Sequence, residues 1–193
     1  MPTQRRLEKM LRVIRNRQPD LAVVCENIHD PHNVSAMLRT CDAVGVETVY
    51  LLYTYQEFPE LGKKSSASAK KWVRTRKFKD PQALRETLKQ QEMTIYATRI
   101  EEGAISIFDI DWTQPAAIIM GNEHRGVSEE ALSIADGNIY IPMFGMVQSL
   151  NVSVATAVIL YEACRQRLSR GLYPNPRWDE TAVQQKLEEW SAK

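Results

Sequence analysis

Between Ile141 and Ala163 the chain reads IPMFGMVQSLNVSVATAVILYEA, where Gly145, Gln148, Ser149 and Asn151 crowd the turn before a long apolar run. A core helix needs no such cluster of amides and a hydroxyl, so the turn reads as a place where something is bound. Two other stretches carry comparable chemistry. HDPHN, residues 29–33, places Asn33 ahead of a helical pattern, with Arg39 nearly two turns further on. GNEHRGVS, residues 121–128, combines the close-approach glycines Gly121 and Gly126 with Glu123. Each has a purely local alternative. Asn33, Ser149 and Asn151 are all good helix caps, Arg39 could be a surface arginine, and Glu123 could face water from a tight turn. Three such loops on one edge of a sheet say more than any one of them.

Familiar chemistries fail against the same letters. There is no GxGxxG after the first apolar run and no GxxxxGK[ST], and Ser149 is outside a GxSxG elbow because Gly145 precedes it by four. His29, His32 and His124 fall within two of the loops but lack the paired spacing of a zinc-binding helix, so polar contacts are expected of them and no metal. Cys25, Cys41 and Cys164 are odd in number, far apart and without a CxxC pair, which points to neither a disulfide framework nor a zinc site and suits a reducing compartment.

The elements that must position these groups follow from periodicity. LAVVCENI is a strand-length apolar run, and after HDPHN the residues Val34, Met37, Leu38, Cys41 and Val44 share one helical face, closed by Gly45. VETVYLLY, MTIYATRI, AAIIMG and NIYIPM read as further buried strands, and PQALRETLKQQ and SEEALSIAD as helices between them. VSVATAVILYEACRQRLSRG is a long helix closed by Gly171, and YPNPR leads to a last helix ending near Trp190. This alternation predicts a mostly parallel α/β sheet with helices on both faces. In such a sheet, ligands gather where the C-terminal ends of strands feed helix N-termini, which selects the three loops above.

The length of 193 residues and a hydrophobic content of 44% fit one compact domain. We divide it into a basic N-terminal helix (1–20), a catalytic core (21–171) and a C-terminal helical extension (172–193). No run approaches the roughly 18 apolar residues of a membrane span, and the N-terminus lacks a signal peptide's apolar core, so a cytoplasmic protein without membrane association is expected. The net charge of +1 hides segregation. Lys63 to Lys79 holds eight Lys and Arg and no acid, and the remainder of the chain sums to minus seven. The N-terminal stretch adds six more cations against the single acid Glu8, while Leu7, Met10, Leu11 and Ile14 keep helical spacing. Two basic runs on a near-neutral chain favour a polyanion, best a nucleic acid, over a merely solvated face.

NVSAMLRTCDAVGV, IIMGNEHRGVSEEAL and IPMFGMVQSLNVSVATAVILYEA resemble, in order and spacing, the three motifs of the SpoU branch of the SPOUT RNA methyltransferases. RQPDLAVVCENIHDPHN and RGLYPNPRWD extend the resemblance to the TrmH tRNA ribose methyltransferases, so that it covers nearly the whole chain. The resemblance implies a parallel α/β fold with a C-terminal deep trefoil knot, a homodimer with its active sites near the subunit interface, and S-adenosylmethionine as cofactor. It implies methyl transfer to the ribose 2′-hydroxyl of guanosine 18 in the D-loop of tRNA. Cofactor contacts carry over to Thr98, Gly121, Ile141 and Leu150, the catalytic arginine to Arg39, and the groups around ribose and cofactor to Asn33, Glu123, Ser149 and Asn151. An arginine stays protonated and is a poor base, so Arg39 is expected to bind a phosphate and stabilise developing negative charge. Arg6, Arg12, Arg17, Lys63, Lys64, Arg165, Arg167 and Arg177 are expected to meet tRNA phosphates, and His32 to touch RNA beside Asn33. The competing readings are a relative acting on ribosomal RNA or the tRNA anticodon loop, and a non-catalytic RNA-binding module. The presence of Arg39, Glu123, Ser149 and Asn151 together argues against the last.

Overall fold

The computed structural model describes residues 2–59, 69–173 and 177–193. Lys63 and Lys64 lie outside the described residues. In chain order the elements are α1 (Gln4–Arg15), β1 (Gln18–Glu26), α2 (Pro31–Ala43), β2 (Val46–Leu52), α3 (Ala69–Trp72), β3 (Arg74–Phe78), α4 (Pro81–Lys89), β4 (Thr94–Thr98), β5 (Ile105–Ser106), β6 (Ala116–Met120), α5 (Glu129–Leu132), β7 (Gly137–Tyr140), α6 (Val152–Ser169) and α7 (Glu180–Ser191). The described strands form one parallel sheet in the order β3-β2-β1-β6-β4-β7-β5. From β1 the chain first builds outward through β2 and β3. It then crosses to the other side, where β6 is inserted between β1 and β4.

Alternating side chains separate the two faces of the sheet. Leu21, Val23 and Cys25 of β1 point to a core shared with Met37, Leu38 and Cys41 of α2 and Ile159, Leu160 and Ala163 of α6. Ala22 and Val24 point to the opposite core, closed by Leu84 and Leu88 of α4 and by Ala131 and Ile134. Burial pushes the Cys25 thiol up to about 12, which leaves it an inert packing residue. Pro19 sits within β1, where the register against β2 shifts between Gln18 and Ala22, so the ladder absorbs its missing N–H. Gly45 and Gly171 close their helices at φ values of 83° and 67°, as expected from the sequence.

Three expectations change on folding. The basic tract contains the strand β3, which its charge had concealed and which lies at the sheet edge. Helix α1 ends at Arg15, and β1 begins at Gln18, so the sheet starts inside the segment assigned to the N-terminal helix. Arg17 and Arg167, expected at tRNA phosphates, are buried and bonded within the fold, Arg17 through its terminal nitrogens while its Nε is left without a hydrogen-bond partner. Arg17 bonds to the Val46 carbonyl (3.0 Å) and Asp42 (2.6 Å) and lies 5.3 Å from the Trp190 ring centroid, tying β1 to the apolar cluster that α1 and α7 make with Met10, Ile14 and Val183. Arg167 donates to Asp20 (2.6 Å), Gln18 (2.9 Å) and the carbonyls of Trp112 (2.8 Å) and Gln114 (3.1 Å). Arg177, by contrast, is exposed and pairs with the other oxygen of Asp20 at 2.5 Å.

Removing one partner of a buried pair leaves the other charge uncompensated. Arg167→Ala should therefore lower unfolding free energy by about 3–5 kcal/mol in urea titrations, whereas Arg6→Ala, at an exposed position, should stay within about 0.5 kcal/mol.

Candidate active site

The three loops converge at the C-terminal edge of β1, β6, β4 and β7, and the chemistry that joins them centres on one carboxylate. Glu123 accepts from the backbone N–H of His29 (3.0 Å) and Asp30 (3.3 Å) and from Asn33 Nδ2 (2.8 Å). Burial alone would raise its pKa, but hydrogen bonds from Asn33, His29 and Asp30 outweigh it and hold the group below its ordinary value of 4.5. Asn33 is therefore turned by a charged acceptor, and its Oδ1 accepts in turn from Asn151 Nδ2 at 3.2 Å. One amide thus bridges the second and third loops.

The capping roles are divided differently from the sequence expectation. Asp30 caps α2 by accepting from His32 N, with Pro31 at the first helical position, so Asn33 is free to face Glu123. Asn151 does cap α6, accepting from Ser153 N (2.9 Å) and Val154 N (3.4 Å), while its Nδ2 reaches Asn33. Its local and functional readings are both satisfied by one side chain.

Beside this network lies a cavity of about 500 Å³, a volume typical of small-molecule sites. Thr98, Gly121, Ile141 and Leu150 all line it, together with Glu123, Ser149 and Asn151. Thr98 is held by its hydroxyl, which donates to the Ile119 carbonyl at 2.9 Å. A Cβ at Gly121 would lie 2.3–2.6 Å from the backbone of Gly126 and Val127, so two loop segments touch there without room for a side chain. Gly126 itself adopts φ 70°, closing the turn through reciprocal backbone bonds with Asn122. Close backbone packing, an apolar floor of Met120, Ile139 and Ile159, and polar side chains such as Thr98, Gln148, Ser149 and Asn151 around it fit a bound nucleoside-like cofactor. Asn33 and Arg39 are outside the cavity lining. Arg39 is exposed on α2, with no hydrogen bond or ion pair among the described residues, and so is open to an outside anion. His32 is likewise exposed.

Two residues of the site lay outside the sequence reading. Asn27 adopts φ 46°, and its Oδ1 accepts from Thr54 N at 3.1 Å, while its carbonyl accepts from Asn122 Nδ2 at 2.7 Å. Asn122 Oδ1 then accepts from His124 N (2.9 Å) and Arg125 N (3.1 Å), fixing the loop that presents Glu123. The available signal was an Asn ending a buried strand, since Asn tolerates the left-handed region that such a turn requires.

This fold and site define a parallel α/β enzyme with a cofactor cavity built from its C-terminal loops. The model of the SpoU rRNA Methylase family matches residues 20–161, and the chain belongs to that family. It is 49% identical over 191 residues to a tRNA (guanosine(18)-2′-O)-methyltransferase of Thermus thermophilus, covering 99% of this chain and 98% of the relative. The crystal structure of the Aquifex aeolicus TrmH/SpoU tRNA modifying enzyme superposes with a TM-score of 0.91 at 39% identity, covering 98% and 96% of the two chains. The SpoU methyltransferase AviRb from Streptomyces viridochromogenes, in complex with the cofactor AdoMet, superposes with a TM-score of 0.68 at 26% identity over 79% of this chain and 62% of its own.

Two outcomes test the site. Gly121→Ala should weaken S-adenosylmethionine binding by calorimetry at least about 10-fold while the protein stays folded, because the cost of overpacking falls on the cavity wall, on the order of 1–3 kcal/mol. A depressed carboxylate contributes stability above its unfolded pKa and loses it as pH falls through the folded one. The stability advantage of the wild type over Glu123→Gln should accordingly be full at neutral pH and shrink in acid, below its ordinary value of 4.5.

Proposed function

We propose that this protein methylates the ribose 2′-oxygen of guanosine 18 in the D-loop of tRNA, using S-adenosylmethionine. The observation that carries the reading is the joining of the three loops by Glu123, Asn33 and Asn151 against a cavity lined by all four expected cofactor contacts. The near full-length identity to the Thermus enzyme supports the choice of substrate.

Thr98, Gly121, Ile141 and Leu150 hold the cofactor, which when bound supplies an electrophilic methyl group on a sulfonium. Glu123 stays ionised and accepts three hydrogen bonds, so its role is to lock Asn33 and the start of α2 in place. Ser149 and Asn151, at the cavity wall, orient the ribose. Arg39 binds the phosphate beside the target nucleotide in bidentate fashion and stabilises charge on the 2′-oxygen, the proton leaving through that phosphate. Positioning of this kind supplies much of the rate in a displacement that needs in-line alignment. Arg6 and Arg12 on the exposed face of α1, with Arg165 and Arg177, contribute phosphate contacts from outside the site. Arg165 and Arg177 exchange carboxylate partners for phosphate when they do so.

The same reading includes the knotted C-terminal path, the division into terminal helices and core, and a homodimer. Val154, Tyr161 and Leu168 are exposed at seven-residue intervals along α6, and Phe144 and Met146 are each 99% exposed beside the cavity. Apolar surface of this extent next to a site fits burial by a second copy. Among the described residues no helix is long and apolar enough to cross a membrane, and the proposed action on tRNA supports a cytoplasmic protein.

The test is methyl transfer from labelled S-adenosylmethionine to an unmodified tRNA transcript, with and without adenosine in place of the target guanosine. Label mapped to the 2′-oxygen and lost with the base change is the expected result. Label that persists, or forms only on ribosomal RNA, moves the protein to another member of the family. Arg39→Lys should lower turnover by about 10²-fold, since lysine lacks the bidentate fork; near-normal turnover would remove the assigned role.

A further inference from the structure

The Asn27–Asn122 node that supports the Glu123 loop also organises a surface the reaction does not use. Asn27 Oδ1 gathers the N–H groups of Thr54, Tyr55 and Gln56, and Asn122 Oδ1 gathers those of His124 and Arg125. The two turns are thereby set side by side. Arg125 lies 5.5 Å from the Tyr55 ring centroid, and Tyr55 is 48% exposed, so its ring remains available to a partner. Further along the same segment, Lys77 and Lys79 of the sheet edge hold their amines 4.7 and 4.6 Å from the Phe58 ring centroid. Lys79 also donates to the Gln56 carbonyl at 2.9 Å, which joins the two aromatic sites through one short loop.

Charge balance is what makes this surface unusual. Lys77, Lys79 and Arg125 are exposed, and among the described residues none makes an ion pair. The nearest acid in sequence, Asp80, uses its carboxylate to cap α4. Among the described residues the two ammonium groups share one aromatic ring without an ion pair to a carboxylate, an arrangement that a phosphate backbone completes. Aromatic faces interleaved with unpaired cations are how proteins hold unstacked nucleotides.

We propose that Tyr55 and Arg125, continued by Phe58, Lys77 and Lys79, form an RNA-docking strip that receives nucleotides flanking the target. A base stacks on the Tyr55 ring, Arg125 backs the stack and meets its phosphate, and the two lysines hold the next phosphates along. The strip rests on the tRNA methyltransferase reading and adds to it a surface distinct from the terminal helices. It accounts for a basic edge strand in another way than simple protection. A charged edge strand also discourages edge-to-edge pairing, and lysine stems commonly lie along aromatic rings.

Those two explanations separate experimentally, because edge protection works with either sign of charge and phosphate binding with only one. The double variant Lys77→Glu, Lys79→Glu should bind a tRNA transcript at least about 10-fold more weakly near 0.1 M salt, and its plot of log affinity against log salt should flatten by about 1.5. S-adenosylmethionine binding by calorimetry and the urea midpoint should stay at wild-type values. Tyr55→Ala should raise the KM for tRNA about 10-fold with little change in kcat, and Tyr55→Phe, which keeps the ring, should restore it. If the wild type methylates tRNA and the double variant binds it equally well, the strip is edge protection alone and the proposal is overturned while the function stands. If the wild type neither binds nor methylates tRNA, the functional reading itself fails and the strip's ligand with it.

Discussion

A carboxylate held among donors from a distant loop is the constraint on which the rest of this site depends. Glu123 meets two backbone N–H groups and one side-chain amide at the start of α2, so the loop after β6 cannot move independently of the loop after β1. Because the hydrogen bonds outweigh the desolvation that burial imposes, the charge is kept at neutral pH and the grip with it. Asn33 then passes the restraint to Asn151, and Asn151, as the cap of α6, ties it to the helix that forms a large part of one core. Local backbone geometry, loop–loop contact and core packing are thus coupled through two amides and an acid.

Sheet topology explains why such a network can exist beside a cavity. Inserting β6 between β1 and β4, with β7 beyond, brings the ends of four strands to one edge, where the segments after β4, β6 and β7 supply cavity walls and the loop after β1 anchors Glu123. Gly121 shows how close the loops come, since even a methyl group would collide with backbone on the opposing segment. At that point the cavity wall is main chain, which suits a cofactor recognised there by groups that side-chain substitution would not replace.

Two kinds of arginine coexist here, and sequence spacing does not separate them. Arg6, Arg12 and Arg39 are exposed, whereas Arg17 and Arg167 are buried as clamps with several acceptors apiece. A planar guanidinium with five donors serves either purpose. Which one it serves is decided by whether carbonyls and carboxylates from remote segments arrive around it.

The parallel α/β class, the helix-ending glycines and the three polar loops that meet at one sheet edge were all determined by the sequence alone. Each is written in local terms, as apolar periodicity, a residue tolerant of positive φ, or polar letters where a strand passes into a helix. The choice of Asp30 over Asn33 as cap, the strand hidden in the basic tract and the Asn27–Asn122 node were decided only by the tertiary structure. The partners in those cases lie far apart in the chain: 90 positions separate Asn33 from Glu123, and 118 separate it from Asn151. A polar side chain declares what it can bond to, but the fold supplies the acceptor, and at that range the pairing is set by how β6 and α6 pack against β1 and α2.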